Sequence, residues 1–253
     1  MTEDSHELLL PRERRGTLAL EPTVYGRSAR GVALECFGPQ FGPVEILLLA
    51  SMHGDESDTT VVLSDALRAV RPDAVRNPAV LCVNPDGVMR GTRCNARGVD
   101  LNRNLPTKNW SANPVYYRGH GQENQDMRLG AGKQGASEPE TRALIALVER
   151  LKPKAVVSLH APLACIEDPE ASALGQWISG KVKLPLLPDV GYETPGSFGT
   201  WCDEQGITII TWELPAEPLP DILASHAPVL RKLITARYPE RLVPDSRSTI
   251  GPA

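Results

Sequence analysis

The chain has 253 residues, of which 41% are hydrophobic and 23% charged, enough apolar mass for a sizeable core and near the upper length for a single domain. A formal net charge of −4 supplies no basic field for nucleic acid, and no stretch approaches the length needed to span a bilayer. Five widely spaced cysteines (Cys36, Cys82, Cys94, Cys165, Cys202) with no Cys-x-x-Cys read as reduced thiols, which together with an acidic, non-secretory opening predicts a cytoplasmic protein.

In chain order, residues 1–15 read as a loosely held arm, charged and without apolar periodicity. GVALECFG from Gly31 predicts a short strand. The apolar run Glu45 to Ala50 predicts a strand covered on both faces. His53 and Glu56 stand three residues apart directly after it. Leu63, Ala66, Leu67 and Val70 have helical spacing, so Asp58 to Val70 is expected as an amphipathic helix ended by Arg71-Pro72. Ala79 to Val83 predicts another strand, closed by the turn signal Asn84-Pro85-Asp86-Gly87.

Arg90 to Asn104 has no clean periodicity yet holds four arginines and three asparagines in fifteen residues, which marks a functional loop. Residues 106–133 read as irregular, anchored by Trp110, Tyr116 and Tyr117. Ser137-Glu138-Pro139-Glu140 has the pattern of a capping box before a helix whose buried stripe is Leu144, Ile145, Leu147, Val148 and Leu151. Lys154 to His160 is a buried strand that delivers a second histidine at its end. A loop through Asp168-Pro169, a short helix near Ala171 to Ser179 and a glycine-rich segment from Gly191 to Trp201 follow. Ile207 to Trp212 is the last strand, ending at Glu213. A helix from Pro220 to Ala236 and a tail over 239–253 close the chain.

Buried strands alternating with helices predict an α/β three-layer sandwich with a central mixed, mostly parallel sheet, formed by one domain over 1–253. Ligands in such sheets bind beyond the carboxyl ends of the strands. His53, Glu56, His160 and Glu213 all fall at or just past such ends. Two imidazoles and a carboxylate suit zinc and leave a position open for water, which becomes more acidic there. His53, Glu56 and His160 would form that set for one zinc per chain, and Glu213 could move the proton that hydrolysis requires. The arginines of RGTR and VDLNRN could stabilise an oxyanion and clamp a substrate carboxylate. Singly, each residue also fits a plainer role: a capped turn for His53 and Glu56, a bonded core histidine for His160, a solvated rim carboxylate for Glu213.

HGDE, the loop ending in DLNRN, SLH and a final strand carrying WEL occur here in the order found in the zinc carboxypeptidases, and the chain resembles that family over most of Glu45 to Pro215. The resemblance implies that His53, Glu56 and His160 hold zinc. It further implies that Arg93 stabilises the oxyanion, Asn102 and Arg103 grip the free carboxylate of the departing residue, and Glu213 is the general base. Tyr192 is similar to the family's mobile tyrosine, at a slightly different spacing from the following Gly-Ser. A narrower resemblance, carried by SMHGDE, LCVNPDG, NARGVDLNRN, ASEPET, PLACIEDP and VGYETPGSFGTWC, is to the bacterial murein peptide amidases. These release diaminopimelate from L-Ala-gamma-D-Glu-meso-diaminopimelate in the cytoplasm. A small peptide substrate is thus implied, with no nucleic acid or membrane partner, and a homodimer is left open.

Glu167 and Asp168 are then candidates to pair with the distal ammonium of the departing residue. Two departures stand out: Asp55 replaces the arginine that digestive carboxypeptidases carry before the glutamate ligand, and Ala161 replaces the aspartate that follows the third ligand in the murein subfamily. Two alternatives remain. One is a carboxypeptidase or acyl-amino-acid hydrolase acting on another C-terminal residue, and the other is a non-catalytic module that binds peptidoglycan fragments.

Overall fold

Every second residue of the central strands points to the same side of a sheet, and this alternation sorts the chain into two cores and a site. The computed structural model describes residues 8–118 and 126–236. In chain order the elements are β1 (Thr23–Arg27), β2 (Ala33–Cys36), β3 (Ile46–Leu49), α1 (Asp58–Ala69), β4 (Ala79–Val80), α2 (Pro85–Val88), β5 (Val115–Arg118) and β6 (Asp126–Leu129). They continue with α3 (Pro139–Leu151), β7 (Ala155–His160), β8 (Leu163–Glu167), α4 (Ala173–Val182), β9 (Leu186–Leu187), α5 (Phe198–Glu204), β10 (Thr208–Pro215) and α6 (Leu219–Thr235).

Six strands form the central sheet in the order β4-β3-β7-β10-β8-β9. Neighbours are parallel except β10 and β8, so the sheet is mixed and mostly parallel, as expected. One core joins Ile46, Leu48, Val157, Ile210 and Trp212 to α1, α4 and α6 through Leu63, Leu67, Ile178 and Leu230. The other joins Leu47, Leu49, Val156 and Ile209 to α3 and α5 through Leu144, Leu147, Phe198 and Trp201. Helices therefore cover both faces, giving three layers. On β7 and β10 the alternation assigns Ser158, His160, Thr211 and Glu213 to the α3–α5 side, where apolar side chains give way to chemistry.

Several expectations need correction. The strand expected over Ala79 to Val83 is limited to β4, because Val83 N–H and Asn84 N–H turn back to the carbonyls of Ala50 and Ser51. The irregular stretch contains an antiparallel hairpin, β5–β6, and Tyr116 is not an anchor but 63% exposed. The loop after His160 contains β8, whose antiparallel pairing with β10 a reading for parallel, wholly apolar strands does not find. No capping box forms at α3: Ser137 Oγ donates to Glu138, while Glu140 reaches away to accept the Ala29 N–H at 2.8 Å. The arm is docked from Leu8 onward, through Leu10 N–H to Ala69 O at 2.8 Å and Arg71 N–H to Leu8 O at 2.9 Å. Its first seven residues and the tail over 239–253 lie outside the described residues.

Candidate active site

The turn after β3 is built to hold side chains in place. Ser51 adopts a positive φ of 48°, and its buried hydroxyl lies 3.1 Å from Thr59 Oγ1 and 2.8 Å from Thr60 Oγ1. Gly54 follows with no room for a β carbon, since one would meet backbone of Gly87, Val88 and Thr92 at 2.2–2.4 Å. This close packing against α2 fixes the backbone between His53 and Glu56.

His53, Glu56 and His160, all buried, converge there. His53 Nδ1 lies 2.7 Å from Glu56 Oε1, His160 Nδ1 lies 3.0 Å from Glu56 Oε2, and the two Nδ1 atoms are 3.2 Å apart. On the far side of each ring, His160 Nε2 faces the Ser158 hydroxyl at 3.1 Å. His53 Nε2 lies 3.4 Å from Asp100 Oδ1, an ion-pair distance without hydrogen-bond geometry. A proton on each Nε2 leaves both Nδ1 lone pairs and a carboxylate aimed at one point, an all-acceptor arrangement that only a cation satisfies.

The electrostatics agree. Burial pushes the Glu56 carboxyl up, but His53 and His160 outweigh it and hold it well below the usual carboxylate range. Burial and Arg93 push His53 down, yet Glu56 and Asp100 outweigh both and bring it to about 9. The surroundings of His53 thus favour positive charge at this point. Among the described residues this is the one group of three or more side chains with metal-ligand geometry. Two nitrogens and a carboxylate are donors of the kind zinc prefers.

Glu213 lies beside this cluster at the end of β10, level with His160 in the parallel register. Leu163 N–H donates to its Oε2 at 3.3 Å. Burial raises its pKa, partly countered by His160. Arg93 approaches from the loop, with Nε 3.0 Å from Asp100 Oδ2 and Nη1 3.5 Å from Glu56 Oε1.

Asp100 is the residue that sequence reasoning missed. It is fully buried, faces His53, binds Arg93, and accepts the Asn102 N–H at 2.9 Å. Arg93 and His53 outweigh its burial and hold its pKa well below the ordinary range. The signal for it was present: it is the only acid within Arg90 to Asn104 and opens a turn. Ser158, two residues before His160 on the same face, was missed for want of any sequence signal.

Asn102 and Arg103 follow in the short 3₁₀ turn Leu101–Arg103. Asn102 Oδ1 accepts the Phe198 N–H at 2.8 Å, tying the start of α5 to this loop and leaving the amide nitrogen for other partners. Burial lowers the pKa of Arg103, and its Nε has no hydrogen-bond partner among the described residues. A buried, incompletely satisfied guanidinium invites a carboxylate.

A cavity of about 690 Å³ opens from the cluster and runs along β10 past Glu213, Thr211 and Ile209. Arg93, Asn102, Arg103, Tyr192 and Glu167 also line it, so the structure gathers these sequence-identified residues around one space. Tyr192 is 58% exposed at the rim. Asp168 is different: its carboxylate accepts the N–H and hydroxyl of Ser172 at 2.8 and 2.7 Å, closing the turn before α4, and the residue does not line the cavity.

Comparisons with known proteins agree with this geometry. Residues 23–166 match the zinc carboxypeptidase family. The chain is 48% identical to murein peptide amidase A of Escherichia coli K12 over 207 residues, covering 81% of this chain and 86% of that protein. It is 43% identical over 209 residues to murein peptide amidase A of Vibrio campbellii, covering 82% and 84%. The crystal structure of murein-tripeptide amidase from E. coli O157 superposes with a TM-score of 0.86 at 42% identity, covering 94% of this chain and 99% of that one.

Proposed function

The chain belongs to the zinc carboxypeptidase family, and from that premise we propose that it is a murein peptide amidase: it hydrolyses the amide between gamma-D-glutamate and meso-diaminopimelate in L-Ala-gamma-D-Glu-meso-diaminopimelate. The observation that carries this reading is the convergence of His53, Glu56 and His160 beside Glu213 at the mouth of a cavity that also holds Arg103, in a chain 48% identical to murein peptide amidase A.

His53 Nδ1, His160 Nδ1 and the Glu56 carboxylate would hold one zinc ion, which when bound would supply Lewis acidity and acidify water. Asp100 and Ser158 orient the two imidazoles by engaging their outer nitrogens. Arg103 and the Asn102 amide grip the free carboxylate of the departing residue, which sets the scissile bond beside Glu213. Glu213 takes a proton from the attacking water as the oxygen bonds to the carbonyl carbon. It then returns the proton to the amide nitrogen as the C–N bond breaks, so acid and amine leave in balance. Arg93, oriented by Asp100, faces the carbonyl oxygen as negative charge grows on it. Tyr192 covers the bound substrate from the rim. The whole of 1–253 is read as one catalytic domain. No described helix is long and apolar enough to cross a membrane, and the five free thiols favour the cytoplasm.

Incubating the purified protein with the tripeptide and following free diaminopimelate tests the reading. Release is expected, lost on chelation and restored by zinc. An untouched tripeptide alongside cleavage of ordinary alpha-linked peptides overturns it.

A further inference from the structure

The ionisable side chains lining the cavity divide into two groups. Near the cluster, Glu56, Asp100 and Glu213 stand against His53, Arg93 and Arg103. The remaining lining carboxyl groups are Glu167, Asp189, Glu193 and Asp203, and the cavity holds no lysine among the described residues; Glu167 is near enough to raise the Arg103 pKa but forms no ion pair with it. Acids outnumber bases along the cavity wall, seven carboxyl groups against His53, Arg93 and Arg103, which suits a cationic group on the departing residue.

Strand register singles out one of these acids. β8 runs antiparallel to β10 with Cys165 opposite Glu213 and Glu167 opposite Thr211. Directly opposed residues share a face, so Glu167 and Thr211 lie side by side on the cavity floor. They sit two residues further along from Glu213, or ~6.5 Å at the usual strand rise. An extended chain advances ~1.2 Å per bond, so a group carried four or five bonds beyond the α carbon of the departing residue lies ~5–6 Å away from that carbon. The distal amine of diaminopimelate is five bonds out. The Glu167 carboxylate is half-exposed and makes no hydrogen bond or ion pair among the described residues, so it has a charge to offer at that depth.

Resting on the amidase reading above, we infer that Glu167, with the Thr211 hydroxyl beside it, is the specificity-determining pair of this cavity and recognises the distal ammonium of the departing residue. Asp168, next in sequence, takes no part, because it lies outside the cavity lining and its carboxylate is engaged by Ser172 in the turn before α4. Glu167 acts on substrate choice and touches neither the ligand cluster nor the proton path.

The test uses two tripeptides on the zinc-loaded enzyme, L-Ala-gamma-D-Glu linked either to meso-diaminopimelate or to 2-aminopimelate, which keeps the chain length and distal carboxylate but lacks the distal amine. A charged hydrogen bond of this kind gives ~10–100-fold in kcat/KM, so the native enzyme favours the diaminopimelate substrate by that ratio, mainly through KM. Glu167→Gln collapses the ratio toward one. Glu167→Lys moves it past one, in favour of 2-aminopimelate. Thermal melting of both variants reports on folding. A ratio unchanged in both variants overturns the assignment, as does a native enzyme that cleaves both substrates equally, and in either case the amidase reading stands. Failure to cleave either tripeptide overturns the amidase reading itself.

Discussion

On the proposed mechanism, Glu213 is the side chain whose loss separates chemistry from binding most cleanly. It is held by the Leu163 N–H and lies beside the candidate ligands His53, Glu56 and His160 without being one of them. Glu213→Gln keeps shape and removes basicity, so kcat is expected to fall by ~10²–10⁴ while substrate affinity changes little. Single-turnover kinetics with a separate binding measurement check this; an undiminished rate removes Glu213 from the proton path. The candidate site was legible in the sequence as far as local chemistry goes. His53, Glu56, His160 and Glu213 declare themselves because each is a reactive residue at the end of an apolar strand. Asp100 does not, because its importance lies in what it touches: His53, Arg93 and Asn102 come from different points of the chain and meet only when folded. Glu167 and Asp168 are adjacent and chemically alike, and the fold separates them: β8 sets Glu167 opposite Thr211, while Ser172 engages Asp168.

At the scale of elements, the turn that carries His53 and Glu56 works with α2 as one unit. Gly54 N–H donates to Arg93 O at 3.2 Å, and Asn84 both caps α2 through Gly87 N–H and donates from Nδ2 to Arg93 O. A methyl group at Gly54 would enter backbone on three sides. Gly54→Ala is therefore expected to cost about 1–3 kcal/mol of stability and to weaken zinc binding, because the turn must shift to make room. Urea melts and a metal titration measure the two losses, and native values in both would show that the packing is looser than described. Elements with strong periodicity, α1, α3, β3 and β7, were legible nearly to their ends. β8 and the β5–β6 hairpin were not, since short antiparallel strands with mixed side chains carry neither an apolar run nor a clean alternation.

At the scale of the whole molecule, the core opposite the site contains a buried histidine with a cost attached to acid. His226 on α6 accepts the Trp212 Nε1–H at 3.2 Å, and burial lowers its pKa to about 4. The unfolded chain protonates near the ordinary value of about 6.5, so between pH 6.5 and pH 4 the unfolded state binds the extra proton. Stability from this group is present above that window and lost as pH falls through it, by about 2 kcal/mol between pH 7 and pH 5. Urea melts of the zinc-loaded enzyme at both pH values should show this slope, and His226→Gln, which keeps an acceptor for Trp212, should flatten it by that amount. Equal slopes in both proteins would place the acid sensitivity elsewhere. The fold class, three layers around a mixed sheet, followed from the order of strands and helices; the single antiparallel neighbour could come only from the structure. Ile210, Trp212 and Leu214 face one core, while Thr211 and Glu213 face the cavity and Ile209 serves both the cavity and the second core, so parity near the carboxyl end of β10 tells which of two trades a residue follows. Selection for durability and selection for substrate act on interleaved positions, and the same eight-residue strand can adapt to a new ligand by changes at Thr211 while Ile210, Trp212 and Leu214 stay as they are.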